Sequence, residues 1–190
     1  LCGTLLSAGL GANTPANGTG AWSIVSGGTG TFSSAAAANA TFTADAYGVY
    51  VLRWTISNGV CAASTDDVTV TYYESPTTAT VGANQNVCAS LVSAGLGANT
   101  PTVGTGAWTV VSGGTGTFSD NTDPDATFTA DAYGTYVLRW SISNGTCAPS
   151  TADVTVNYYQ APTTASVGAD QNHCATLTST SLGGNTPVIG

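Results

Sequence analysis

From residue 50 to residue 57 hydrophobic and polar side chains alternate, with Tyr50, Leu52, Trp54 and Ile56 set against Val51, Arg53, Thr55 and Ser57. A period of two marks a strand with one buried face. Asp45-Ala-Tyr-Gly leads into it and Asn58-Gly59 leads out of it, and both are turn sequences. The stretch 43–61 recurs almost unchanged as 129–147. Trp22 and Trp108, Tyr50 and Tyr136, and Trp54 and Trp140 are each 86 residues apart, and they are the predicted core.

A spacing that holds without a gap predicts tandem copies of one unit. At about 86 residues the unit has the size of a small all-β domain. The copies are expected at 1–74 (lacking a first strand), 75–160 (complete) and 161–190 (the opening strands of a third). Residues 174–190 repeat 2–18, and the chain has neither an initiator Met nor a signal peptide, so it is expected to be a segment of a longer periodic protein. Within 75–160 strands are predicted at 79–82, 89–96, 107–112, around Phe118 and Phe128, at 134–143 and at 153–159. Pro-Thr-Thr segments at 75–78 and 161–164 read as linkers. Seven short strands with Gly/Asn turns and no helical period predict an all-β, seven-stranded β-sandwich.

Composition narrows the function. Only 6% of the residues are charged, with two Arg, no Lys and ten acidic side chains, a net charge of −8. Two cations cannot neutralise a run of phosphates, which excludes nucleic-acid binding and attraction to anionic membranes. No apolar run reaches the roughly 18 residues of a membrane span, so no membrane insertion is expected. Without Lys no Lys–Asn isopeptide crosslink can form, and mechanical strength is left to sheet hydrogen bonds and disulfides.

Five cysteines occupy two positions per copy: Cys2, Cys88 and Cys174 near the start, Cys61 and Cys147 after the long strand. Pairing within a copy gives Cys2–Cys61 and Cys88–Cys147, with the partner of Cys174 outside the chain. Each bridge would close a loop of about 60 residues and contribute roughly 4 kcal/mol by loop-closure entropy. Such bridges imply an oxidising, extracellular setting. The competing readings are buried free thiols and, more weakly, a zinc site without any CxxC pair.

The remaining polar residues point to structure more than to chemistry. His173 stands where the preceding copy has Val87, so no function shared by the copies uses it. Asp120-Asn-Thr-Asp-Pro-Asp125 has the oxygen density of a calcium loop, but the first copy has Ser34-Ala-Ala-Ala-Ala-Asn39 there, and a solvated turn is the expectation. Asp66, Asp67 and Asp153 read as edge charges. Gly27-Gly-Thr-Gly30 and its copy at 113–116 lack the Lys of a phosphate loop and read as hairpin turns. Arg53 and Arg139 are expected to stack on an aromatic ring or pair with an Asp. Asn17, Asn39 and Asn144 open Asn-X-Thr triplets without further support for glycosylation. Tyr72-Tyr73 and Tyr158-Tyr159 would pack between copies or form a sugar platform. No cofactor, no metal and no catalytic machinery is expected, since neither a His nor a carboxylate pair is shared by both copies.

Pro-Thr-Thr-Ala…Val-Gly-Ala-Asn-Gln-Asn-Val-Cys, then Ala-Asn-Thr-Pro-Thr-Val-Gly-Thr-Gly-Ala-Trp-Thr-Val-Val-Ser-Gly, then Gly-Thr-Tyr-Val-Leu-Arg-Trp-Ser-Ile-Ser-Asn-Gly-Thr-Cys resembles the PKD-like, immunoglobulin-like repeats of giant secreted surface proteins of gliding bacteria of the Bacteroidota type. The resemblance covers the whole chain. It implies tandem immunoglobulin-like sandwiches, a secreted or cell-surface location, a dedicated export route and a role in adhesion or filament formation. It carries no catalytic residues. The expected partners are adjacent repeats or copies of the chain itself. The second reading is an array of carbohydrate-binding modules that takes surface glycans on Tyr73 and Tyr159.

Overall fold

The computed structural model describes residues 1–188. Every regular element among them is a strand. The described chain is all-β, its strands arranged in sheets and two-stranded ribbons. It divides into two compact units. One holds Leu1–Thr80 with Asn99–Ala107 and Trp140–Ala152; the other holds Val81–Ala98, Trp108–Arg139 and the residues from Asp153 on.

In the first unit β1 (Thr19–Ser26), β4 (Gly48–Ser57) and β5 (Ser64–Tyr72) form an antiparallel sheet in the order β1-β4-β5. β2 (Gly30–Phe32) and β3 (Phe42–Ala44) form a separate two-stranded ribbon. The alternation of the long strand sets the register: Trp22 lies opposite Trp54, Leu52 opposite Val68 and Tyr50 opposite Val70. The inward face of β4 is sealed, with Tyr50, Leu52 and Trp54 buried together with Trp22, Phe42 and Tyr72. A run of ring contacts crosses this core from Trp54 through Trp22, Phe32, Phe42 and Tyr50 to Tyr72, with centroids 4.9 to 6.1 Å apart. Close aromatic pairs of this kind add about 0.5–1.5 kcal/mol each beyond area burial.

The Gly27-Gly28 turn is not a hairpin. It carries the chain from β1 across to β2, which belongs to the other layer. Gly27 takes a φ of 109°, and a Cβ there would lie 2.3 Å from the Val49 carbonyl oxygen, so only glycine passes this close to β4.

The second copy repeats the plan with β6 (Gln85–Cys88), β7 (Thr105–Ser112), β8 (Gly116–Phe118), β9 (Phe128–Ala130), β10 (Gly134–Ser143) and β11 (Ser150–Tyr159). The sheet order is β6-β11-β10-β7, with β8-β9 as the ribbon. Trp108, Tyr136 and Trp140 are buried. The strands expected at 79–82 and 89–96 do not form ladders; the edge strand is β6, which runs parallel to the end of β11. Residues 79–82 are tied by scattered bonds instead: Ala79 N donates to Ser150 Oγ, Thr80 N to Asn99 Oδ1 and Gly82 N to Leu96 O.

The expected disulfides are corrected. The bond present is Cys2–Cys147, with Cα atoms 5.2 Å apart, while Cys61, Cys88 and Cys174 are free and exposed. The reason lies in the length of a strand. Cys2 bridges to Tyr73, just past the end of β5, whereas Cys61 lies three residues before β5 begins. A strand of that length separates them by about 30 Å, and a disulfide needs Cα atoms within about 7 Å. The same offsets recur around β11, whose far end pairs with Cys88.

Candidate functional site: the Cys2–Cys147 junction and the open edge of β5

The first unit contains a knot of contacts around the Tyr73–Thr78 segment. Backbone hydrogen bonds join Tyr73 N to Leu1 O at 2.8 Å and Gly3 N to Tyr73 O at 2.9 Å, which fixes Cys2 beside the strand end. Asn144 Nδ2 donates to Glu74 O at 2.9 Å. The Tyr73 ring covers Gly145, where a Cβ would come within 2.2 Å of the ring, so this turn position takes no side chain. Asn144-Gly-Thr-Cys147 is thereby held against the segment after β5, and Cys147, 5% exposed, meets Cys2. Downstream, Thr77 Oγ accepts from Thr102 N and Val103 N, and Asn99 Nδ2 donates to Thr78 O. The Pro-Thr-Thr segment is therefore hydrogen-bonded along its length.

The bridge joins positions 145 residues apart. By loop-closure entropy a loop of that length stabilises the folded chain by about 5 kcal/mol. It ties the opening of one sequence copy to the turn after the long strand of the next.

Beside this junction β5 ends its sheet with an open edge. A groove runs along it, made of two adjoining hollows of about 290 and 330 Å³. Leu10, Ala12 and Asn13 form one wall, and Asp66, Val68 and Val70 the other. The lining includes two adjacent carboxylates, Asp66 and Asp67, of which Asp67 is engaged by Arg53.

The other candidates are engaged in structure. Arg53 grips Asp67 with two hydrogen bonds of 2.7 and 2.8 Å, and Arg139 grips Asp153 in the same way. These bidentate pairs lie on the solvent face, and each Arg holds its carboxylate below the usual range, chiefly through the hydrogen bonds. Asp120 accepts from the backbone N–H and hydroxyl of Thr122, which lowers its pKa. Asp123 accepts from Asp125 N, and Asp125 from Gly97 N, so the three carboxylates cap turns. Among the described residues no group of three metal-ligating side chains converges. His173 is exposed and pairs with Gln171 Oε1 at 3.0 Å. Asn39 accepts from Gly11 N, and Asn17 is exposed. Tyr72 and Tyr158 are buried, donate to the carbonyls of Phe42 and Phe128, and burial raises the pKa of both.

Sequence reasoning missed two buried hydroxyls. Ser7 Oγ accepts from Phe42 N and donates to Ala8 O, and Ser93 does the same with Phe128 and Ala94. The signal was present: Ser-Ala-Gly-Leu-Gly-Ala-Asn occurs identically at 7–13 and 93–99.

Among the described residues no helix is long and apolar enough to cross a membrane. No protein-family model matches the chain, and neither does any curated protein. Solved structures similar to it include the titin I-band fragment I67–I69 (11% identity, TM-score 0.40, covering 75% of this chain and 56% of that one). The tandem Ig repeats of Dlar match at 11% identity and TM-score 0.33, covering 75% of this chain and 83% of that one. The extracellular domain of protocadherin GammaB4 matches at 11% identity and TM-score 0.36, covering 82% of this chain and 30% of that one. The chain spans about a third to a half of the protocadherin structures it matches.

Proposed function

We propose that this chain is a structural segment of an extracellular filament or giant cell-surface adhesin, built of repeats at 1–74, 75–160 and 161–190 and acting as a disulfide-stapled stalk. The observation that carries the reading is the Cys2–Cys147 bond. It links one sequence copy to the next within one compact unit, and a covalent tie between copies serves reach and toughness. Stapling of this kind belongs to an oxidising, extracellular compartment. The hydrogen-bonded Pro-Thr-Thr segment supports the same reading, because a stalk gains stiffness when its linker is not free coil. The near-absence of cations and the engaged carboxylates support a role without catalysis.

The glycan reading is the weaker one. It rests on Tyr73 and Tyr159, and of these two Tyr73 is spent covering Gly145, while Tyr159 is 55% exposed. Electron microscopy of the native material with antibody raised against this chain tests the stalk. Labelled, beaded filaments outside the cell are the expected result. Cytosolic labelling with Cys2 and Cys147 as free thiols would sink it.

A further inference from the structure

The loop between β8 and β9 holds the chain's one Asp-Pro pair, Asp123-Pro124. The carbonyl oxygen of Asp123 belongs to the peptide bond that joins the two, and it accepts two hydrogen bonds. Trp108 Nε1 donates to it at 3.0 Å and Ala126 N at 3.1 Å. The core fixes both donors, since Trp108 and Ala126 are each 1% exposed. Two N–H groups on one carbonyl oxygen stabilise the oxyanion that forms when a nucleophile adds to the carbonyl carbon. Because they are already in place, the reaction needs no reorganisation of them.

A nucleophile hangs from the adjoining Cα. The Asp123 carboxylate accepts from Asp125 N through Oδ1 at 2.9 Å, which holds it toward the residues that follow. The neighbouring carboxylates are tied elsewhere, Asp120 to Thr122 and Asp125 to Gly97 N. Proline removes a competing reaction. An aspartate ahead of another residue can close on the next backbone N–H to a succinimide, and Pro124 has no N–H to lose. Asp123 is exposed and Pro124 half-buried, so solvent reaches the bond between them.

The first copy supplies the contrast. There Ala37 O accepts from Trp22 Nε1 at 3.1 Å and from Ala40 N at 3.0 Å, so the carbonyl with two donors belongs to the fold. The residues are Ala37-Ala38, with neither carboxylate nor proline. The second copy alone places a nucleophile and a leaving group on this shared carbonyl.

We propose that Asp123–Pro124 is a self-cleavage site. A carboxylate oxygen of Asp123 adds to the carbon of its own backbone carbonyl, and the negative charge moves to the oxygen held by Trp108 and Ala126. The tetrahedral centre collapses, the bond to the Pro124 nitrogen breaks, and that nitrogen takes a proton from solvent. The products are a cyclic anhydride at Asp123 and a free prolyl amine. Water then opens the anhydride to two carboxyl groups, so the net reaction is hydrolysis and needs no co-reactant but water. The Cys2–Cys147 bond joins 1–123 to 124–190, so an oxidised molecule stays in one covalent piece after the cut. The backbone between the two cysteines loses its continuity, while the path from Leu1 across the bridge stays whole. The inference goes beyond the stalk reading and does not depend on it.

The test follows the full oxidised chain in mildly acidic buffer, which supplies the proton, by intact mass spectrometry beside a synthetic peptide of residues 118–128. The expected result is one added water before reduction and fragments 1–123 and 124–190 after it. The folded chain is expected to cut at least about 100-fold faster than the peptide, the effect of one oxyanion donor. Asp123→Asn, which keeps an acceptor for Asp125 N, and Pro124→Ala each suppress the cut. Trp108→Phe slows it by about 100-fold, whereas Trp22→Phe, the same change in the first copy, leaves it as it was. Ala37→Asp with Ala38→Pro opens a second cut after residue 37. A folded chain no faster than the peptide, a cut that persists in Asp123→Asn, or an intact 37–38 bond in a variant that still cuts after 123 would overturn the proposal.

Discussion

A chain pulled from its two ends does not load its two sandwiches equally with its tails. Force applied at Leu1 reaches Cys2, crosses the sulfur bridge to Cys147, and continues through residues 147–190, so the chain between the two cysteines carries none of it. At about 3.4 Å per extended residue the full chain reaches about 650 Å, and the bypassed stretch holds about 490 Å of that. An oxidised molecule is thus expected to stop at a contour length of about 150 Å, after β11, which lies on the load path, has peeled away. The reduced molecule, or Cys2→Ser, is expected to extend to the full contour in two unfolding steps. Single-molecule force spectroscopy with handles at both ends reads the difference directly. The same bond should contribute about 2–5 kcal/mol to equilibrium stability, visible as a lower denaturant midpoint in Cys147→Ser. Equal contour lengths in oxidised and reduced samples would refute the bypass and, with it, the argument that the bond serves toughness.

Further outcomes follow from the same geometry. A non-reducing tryptic digest should join 1–53 to 140–190 through Cys2–Cys147; a digest joining 1–53 to 54–139 would restore the within-copy pairing. Gly106→Ala places a Cβ 2.0 Å from the Trp140 ring and should cost about 1–3 kcal/mol in chemical denaturation, whereas Gly184→Ala, with nothing within 4 Å, should be neutral. Tyr72 and Tyr158 have pKa values raised by burial, so the stability they contribute is complete below about pH 10 and is lost as pH rises through their folded values. The denaturation midpoint should therefore fall steeply above pH 10, and Tyr72→Phe with Tyr158→Phe should flatten that slope.

Much of this architecture follows from the order of residues. The alternation from Tyr50 to Ile56 commits β4 to a strand and decides its buried face, because a period of two leaves no other way to cover Leu52 and Trp54. The 86-residue spacing carries the buried positions of the first copy, from Trp22 to Tyr72, into the second. The glycines at 27–28 mark a turn, yet whether the chain returns beside β1 or crosses to β2 depends on which sheet accepts it, and that is a property of the assembled layers. The cysteines show the limit most clearly. Their spacing says which positions are equivalent but not which end of a strand each occupies. Only the parallel approach of Cys2 to Tyr73 and the length of β5 put Cys61 out of its reach and bring Cys147 within it. Local pattern determines strands and faces because neighbours along the chain compete for the same core. Pairing between distant residues is decided by where folded elements end in space, which no one-dimensional period encodes.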